Sequence, residues 1–344
     1  VKPSLLDLLA CPGCRGALEL RGTAARGSEV MEGELACRSC GTTYPVRRGV
    51  PRFVAPSSTP ESDRTASAFG WEWQAFSRID DHHEQQFLDW IAPAGREAFR
   101  GRVVLEGGCG KGRHTRLASR YGAAAVIGVD LSSAVDVAFE NTREEPAAHI
   151  VQADLRRLPL RPASCDYAYS VGVLHHLPDP TSGFLSLAGA VRPGGAVSVW
   201  VYGAENNGWI VRLVSPFREH VTSRLPPRVL HALSFLVALP LFTALAAVYR
   251  PARRSTSLRW RRLLPYEPYL GYISDFPFRE IHHIVHDHLA APIAHYLRRD
   301  EVEGWYRSVG ARGAVVASHN SNSWRGYGLL PETAGPGRAG ERTS

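Results

Sequence analysis

Lysine is almost missing from this 344-residue sequence: Lys2 and Lys111 are the only two, so arginine carries the balance of 40 Lys+Arg against 33 Asp+Glu. No self-similar repeat and no collagen-like glycine period occurs, which excludes solenoid and fibrous architectures. No secretory signal is expected, because residues 1–10 lack a long apolar core and run into a cysteine pair. From Leu233 to Val248 there are sixteen residues with no ionisable group, Pro240 among them. That falls short of the roughly 20 apolar residues of a membrane span. At 44% hydrophobic content the chain is too apolar to be disordered, and its length suits one large domain with a small one.

The charge is unevenly placed. Between Arg212 and Arg262 stand ten arginines and one carboxylate, Glu219, a local balance of +9 within a net charge of +7. The remainder is close to neutral, so a diffuse nucleic-acid-binding surface is not what the charge describes.

Four of the six cysteines form two pairs, Cys11-Pro-Gly-Cys14 and Cys37-Arg-Ser-Cys40, separated by 22 residues. A C-x-x-C turn offers two thiolates to one tetrahedral ion, and a hairpin between two such turns brings all four together. Structural Zn2+ on Cys11, Cys14, Cys37 and Cys40 is therefore expected, with no open site for chemistry. It would stabilise a segment too small to build much core. Thiols kept for metal imply a reducing, cytoplasmic setting. The surrounding Leu-Leu-Ala-Cys-Pro-Gly-Cys, Cys-Gly-Thr-Thr-Tyr-Pro and Gly49-Val-Pro-Arg-Phe53 resemble the zinc-ribbon proteins that act as activating subunits of tRNA and protein methyltransferases. The resemblance implies a partner subunit fused onto an enzyme. A Ser/Thr/Pro-rich stretch from Pro56 to Arg64 reads as a linker.

Residues 102–202 alternate between strand and helix patterns, which predicts an open parallel sheet with its ligand at the carboxyl ends of the first strands. The first strand ends in Glu106-Gly-Gly-Cys-Gly-Lys-Gly112. The third glycine of a G-x-G-x-x-G fingerprint would fall on Arg113 or Thr115, and no G-x-x-x-x-G-K-[ST] run occurs. An acid at the strand end suits an ammonium group better than a pyrophosphate, which favours S-adenosylmethionine over NAD or ATP. Asp130 ends the second strand, where a carboxylate can meet ribose hydroxyls. Asp154 ends the third, where it can accept from an adenine amino group.

These segments, with Cys165-Asp-Tyr-Ala-Tyr-Ser-Val-Gly-Val-Leu-His175-His176-Leu and Arg192-Pro-Gly-Gly195, resemble in order the motifs of class I S-adenosylmethionine-dependent methyltransferases, most closely the ubiquinone/menaquinone, sugar and polyketide type. The resemblance implies a Rossmann-like α/β fold with a seven-stranded sheet. It places Glu106, Gly108 and Gly110 at the methionine end, Asp130 and Leu131 at the ribose, Asp154 and Leu155 at the adenine, and Ser170 to Val173 beside the sulfonium. Phe69-Gly-Trp71-Glu-Trp73 resembles an aromatic segment of the same family, which implies a helix over the cofactor with Trp71 or Trp73 closing the pocket; core aromatics bridging ribbon and sheet remain the alternative.

The expected organisation is a zinc ribbon (1–56), a linker and aromatic helical segment (57–100), the cofactor-binding core (101–202), a helical lid inserted after the fifth strand (203–299), a helix and hairpin completing the core (300–331) and a disordered tail (332–344). The apolar run in the insertion reads either as a buried cap or as an interfacial hairpin with arginines on lipid phosphates. Either makes a greasy mouth. His282, His283, His286 and His288 match no regular metal motif and read as polar lid residues; one of them, or His175, is the candidate general base. The expectation is methyl transfer to a small-molecule or lipid-linked metabolite, with oxygen the favoured acceptor atom, peripheral membrane contact through 203–262 and no nucleic-acid partner. The alternative is an RNA methyltransferase that uses the ribbon and the arginines. It lacks the Asp/Asn-Pro-Pro-Tyr/Phe signature for exocyclic amines, whose position holds Ser170-Val-Gly-Val173.

Overall fold

The computed structural model describes residues 1–27, 29–54, 60–79, 83–255, 261 and 263–332. The expected tail from 333 onward, and residues 56–59 of the expected linker, lie outside the described residues. The rest of that linker is helical, since α1 (Pro60–Ala75) begins at Pro60.

The N-terminal unit is a four-stranded antiparallel sheet of β1 (Leu18–Arg26), β2 (Glu29–Cys37), β3 (Thr43–Arg47) and β4 (Val50–Pro51). Its apolar side chains do not close on themselves. Leu5, Leu9, Leu35, Val46 and Phe53 are buried in one cluster with Leu105, Leu155, Leu158 and Leu160 of the core. Arg52 pairs in parallel with Gln152, and the Phe53 amide donates to the Gln152 carbonyl at 2.7 Å. The ribbon thus covers a sheet edge that would otherwise present unpaired backbone groups. The Arg52 guanidinium also lies 2.7 Å from Asp136 Oδ1.

The core carries α2 (His83–Ile91), β5 (Val103–Gly107), α3 (Arg113–Arg120), β6 (Ala125–Asp130), α4 (Ala134–Thr142), β7 (Ala148–Gln152), β8 (Cys165–Val171), α5 (Pro180–Ala190) and β9 (Val191–Tyr202). β5 to β9 read as near-continuous apolar runs because helices cover both faces of a parallel sheet. α5 starts where Asp179 accepts from the Thr181 and Ser182 amides and Pro180 supplies a preset φ. After the insertion come α10 (Arg299–Ser308), β10 (Arg312–His319) and β11 (Ser323–Leu329). The seven strands stand in the order β10-β11-β9-β8-β5-β6-β7. β11 is antiparallel to β9 and β10. This is the seven-stranded Rossmann-like sheet expected, with its insertion after the fifth strand.

The insertion leaves and returns through a narrow neck. Gly203 bridges Leu297, the Leu297 amide donates to the Tyr202 carbonyl at 2.9 Å, and the Ala204 amide donates to Leu297 at 2.8 Å. Beyond the neck lie α6 (Ser215–His220), α7 (Pro227–Arg254), α8 (Glu267–Ile273) and α9 (Phe278–Ala290). They have their own apolar cluster of Ala238, Leu245, Tyr249, Ile273, Ile281 and Val285. The apolar run is neither a hairpin nor a buried cap. It is one helix, α7, continuous through Pro240, with only 22% of its most apolar window buried.

Candidate functional site

The four ribbon sulfurs all lie within 4.8 Å of one another, with Cys11 and Cys40 Sγ 3.8 Å apart and Cys14 and Cys37 Sγ 3.4 Å apart. A tetrahedron with 2.3 Å zinc–sulfur bonds sets sulfurs about 3.8 Å apart, so the set fits structural zinc. Hydroxyls of Tyr44 and Thr42 lie 3.2 Å from Cys11 and Cys40 Sγ, positioned to donate to the thiolates. Among the described residues this is the one grouping with metal-ligand spacing. The histidines of α9 fall outside this grouping.

On the core, a cavity opens at the carboxyl ends of β5, β6 and β7. Gly108, Gly110, Asp130, Leu131, Asp154 and Leu155 all line it, with Trp73 and Phe69 of α1 opposite. Gly108 sits at φ +82, and a Cβ there would fall 2.2 Å from Val173. A Cβ on Gly110 (φ +49) would fall 2.9 Å from the Trp73 ring. Only glycine lets the backbone form this cradle. Asp130 is fixed from three sides, accepting from the Gly110 amide at 2.9 Å and from the Ser132 amide and hydroxyl at 2.8 and 2.7 Å. Burial pushes its carboxyl upward while these donors oppose that. The cradle and the acid at the end of the second strand fit S-adenosylmethionine. Trp73 closes the loop as expected; Trp71 instead stacks on His286 at 5.5 Å, outside the lining.

Three sequence expectations need correction. Glu106 does not reach the cavity. It turns under the glycine loop, 2% exposed, accepting from the Thr115 hydroxyl and lying 3.5 Å from His114 Nδ1. Burial pushes its carboxyl up to about 8, the opposite of what an ammonium ligand needs. Ser170 is also fully buried, its hydroxyl donating to the Gly107 carbonyl at 2.8 Å, so it braces the loop from behind. His175 is sealed between His176 and Tyr202, with ring centroids 4.3 and 3.9 Å away, and burial holds it well below the ordinary histidine range. Its neighbour His176 lines the cavity instead.

Asp154 stands at the wall, but Arg156 engages its carboxylate through both the guanidinium (2.7 Å) and the backbone amide (2.8 Å). Sequence reasoning missed that arginine. It also missed Arg113, which lines the cavity between the Trp73 and Trp90 rings and brings a positive charge beside the glycine loop.

The insertion supplies the far side of the cavity. Tyr266, Tyr269, Tyr272 and Phe276 face it with Tyr202 and Trp200, and Asn207, Asn320, Asn322 and Asp287 add hydrogen-bonding edges. Asp287 accepts from the Tyr202 hydroxyl at 2.7 Å. Where α1 meets α9, Glu72 Oε1 lies 2.9 Å from His283 Nε2, and Glu280 Oε2 lies 3.7 Å from His283 Nδ1 and 3.3 Å from His83 Nε2. Burial drives Glu72 upward, but His283 and His286 outweigh it and hold the carboxyl down to about 2. Burial likewise works against charge on His283, and Glu280 and Glu72 more than offset it, raising its pKa. His283 and Glu280 line the cavity; Glu72 stands behind them.

Residues 105–199 match the family described as "Methyltransferase domain", and residues 2–49 match "Trm112p-like protein". A tRNA U34 carboxymethyltransferase from Geobacter sp. (strain M21) is 34% identical over 127 residues, 36% of this chain and 36% of that protein. The tRNA (carboxymethyluridine(34)-5-O)-methyltransferase ALKBH8 of Macaca fascicularis is 29% identical over 175 residues, 48% of this chain and 25% of that one. A solved S-adenosylmethionine-dependent methyltransferase from Aquifex aeolicus, 12% identical, covers 74% of this chain and all of its own, with a TM-score of 0.39. The chain spans from a quarter to little more than a third of the curated relatives' length. Its core is an S-adenosylmethionine-dependent methyltransferase domain, and its N-terminal unit is a Trm112p-like zinc ribbon.

Proposed function

We propose that this chain, a methyltransferase domain carrying its own Trm112p-like ribbon, methylates a nucleotide of tRNA, with the uridine at position 34 as the first acceptor to test. This corrects the expectation of a small-molecule or lipid-linked acceptor and of no nucleic-acid partner. The relatives over the core bear the names of tRNA-modifying enzymes, and the ribbon matches a family that the ubiquinone/menaquinone resemblance does not account for.

The observation that carries the reading is the composition of the far half of the cavity. Tyr202, Tyr266, Tyr269 and Tyr272 present flat faces, and Asn207, Asn320 and Asn322 present amides. An unstacked base is held by stacking between aromatic rings and by hydrogen bonds to its edge.

S-adenosylmethionine, when bound, would supply the methyl of its sulfonium, the sulfur keeping the electron pair of the broken S–CH3 bond as S-adenosylhomocysteine. Gly108 and Gly110 would admit its methionine portion, Arg113 would meet the carboxylate there, and Asp130 would hold the ribose hydroxyls. Trp73 closes over the loop and keeps water out. His283 takes the acceptor proton on the nitrogen facing Glu280, while Glu72 steadies the imidazolium. Against the pull of burial, Glu280 and Glu72 raise the His283 pKa, so turnover should climb with rising pH as the imidazolium gives up its proton.

The test is labelled methyl transfer from S-adenosylmethionine to bulk tRNA, rRNA and a position-34 anticodon stem. Label entering tRNA, and lost together with cofactor binding in Asp130→Ala, is the expected result. Cofactor binding without label in any tRNA would overturn the acceptor and leave the cofactor assignment standing.

A further inference from the structure

The acceptor chemistry leaves one large feature unused, the outer face of α7. Its inner face is packed: Leu230, Ser234, Ala238, Leu245 and Tyr249 are buried, and Ser234 Oγ lies 3.0 Å from His282 Nε2 of α9. The opposite face shows Phe235, Leu236, Val237, Leu239 and Val248, with Leu236 66% exposed. Residues 229–249 contain no Asp, Glu, Lys or Arg. Charge is gathered at the two ends, with Arg228 before the run and Arg250, Arg253 and Arg254 after it. Asp275, 3.2 Å from Arg253, is the carboxylate paired with the latter group. From residue 220 to 266 there are eight arginines and no acid.

We infer that α7 lies flat on an anionic phospholipid surface, with its apolar face among the acyl chains and its terminal arginines on lipid phosphates. The charge pattern selects this occupant. Nucleic acid would find no cation along the middle of the face. A second copy docked across an antiparallel two-fold would set Arg228 of one chain against the arginines at the other end of its partner, which repel. A lone span is also excluded, because the inner face is committed to α9. The inference does not depend on the tRNA reading, and its readout involves no methyl transfer.

The test is flotation of the full chain with vesicles of phosphatidylcholine alone and of phosphatidylcholine with phosphatidylglycerol. Recovery with the anionic vesicles should exceed that with neutral ones by about tenfold. Leu236→Glu with Leu239→Glu should abolish it, with circular dichroism and cofactor binding unchanged; the milder Leu239→Ser with Val248→Ser should lower it several-fold and repeats the test if the first pair misfolds. Arg253→Ala with Arg254→Ala should reduce recovery on anionic vesicles alone. No flotation, equal flotation on both vesicles, or a dimer in sedimentation velocity that Leu236→Glu dissolves would each overturn it.

Discussion

The ribbon and the insertion are both additions to one sheet, and they are attached in opposite ways. The ribbon holds few apolar residues, and it places them in the core's own cluster while its strands end against β7. The insertion holds many, builds a separate cluster and leaves one long face uncovered. A small unit with little to bury is stable only when metal and host share the load. A larger one can stand on its own interior and keep a surface spare. The ribbon should therefore unfold with the core, and the insertion should loosen by itself.

The largest expected effect comes from the metal. Chelation of zinc or Cys37→Ser removes a structural site whose binding is worth on the order of 10 kcal/mol, as much as a whole domain's stability. Differential scanning calorimetry should show the core transition falling with the ribbon. A core transition left intact would break the contrast.

Next is Glu72→Gln, which leaves His283 charged and buried at a cost of about 3 kcal/mol. Hydrogen exchange should quicken in α1 and α9 and stay unchanged in β1 to β4. The pH dependence sharpens this. The raised His283 pKa gives stability fully present below its ordinary value near 6.5 and lost as pH rises through the folded value. The depressed Glu72 pKa gives stability present above about 4.5 and lost toward pH 2. The difference between wild type and Glu72→Gln should thus peak between about pH 5 and 6.5.

The smallest effect is at the ribbon's polar rim. Arg52→Ala removes a half-buried ion pair with Asp136 and should cost about 1 kcal/mol in urea unfolding. A cost several times larger would mean that the pair, more than the shared core, holds the ribbon in place.

The ribbon and the sheet order were legible because their signals are local: two C-x-x-C turns, a glycine loop, acids at strand ends. What failed was direction. Along a strand, successive side chains point to opposite faces, so an acid at the end of β5 can meet the ligand or the helix behind it. Glu106 meets the helix. The His175-His176 pair, in one turn of 3-10 helix, is split as well, the His176 ring entering the cavity and its neighbour the interior. Of the lid side only the histidine group, His283 among it, was legible as a source of a base; Tyr266 and Glu280 were not, because they face the glycine loop only through the tertiary path of the insertion. For the same reason the exposure of α7 could not be read from its apolar run, since burial depends on what lies against it.

The neck at Gly203 and Leu297 has an architectural consequence. Since β9 is already bonded to the returning chain before α10 begins, everything between is a cassette with one covalent socket, also held to the core where α9 meets Glu72 and His83. Such a lid can be exchanged for another without altering the strand order beneath it. Acceptor choice and surface attachment would change together, as one transplanted piece, while the cofactor half stayed as it is.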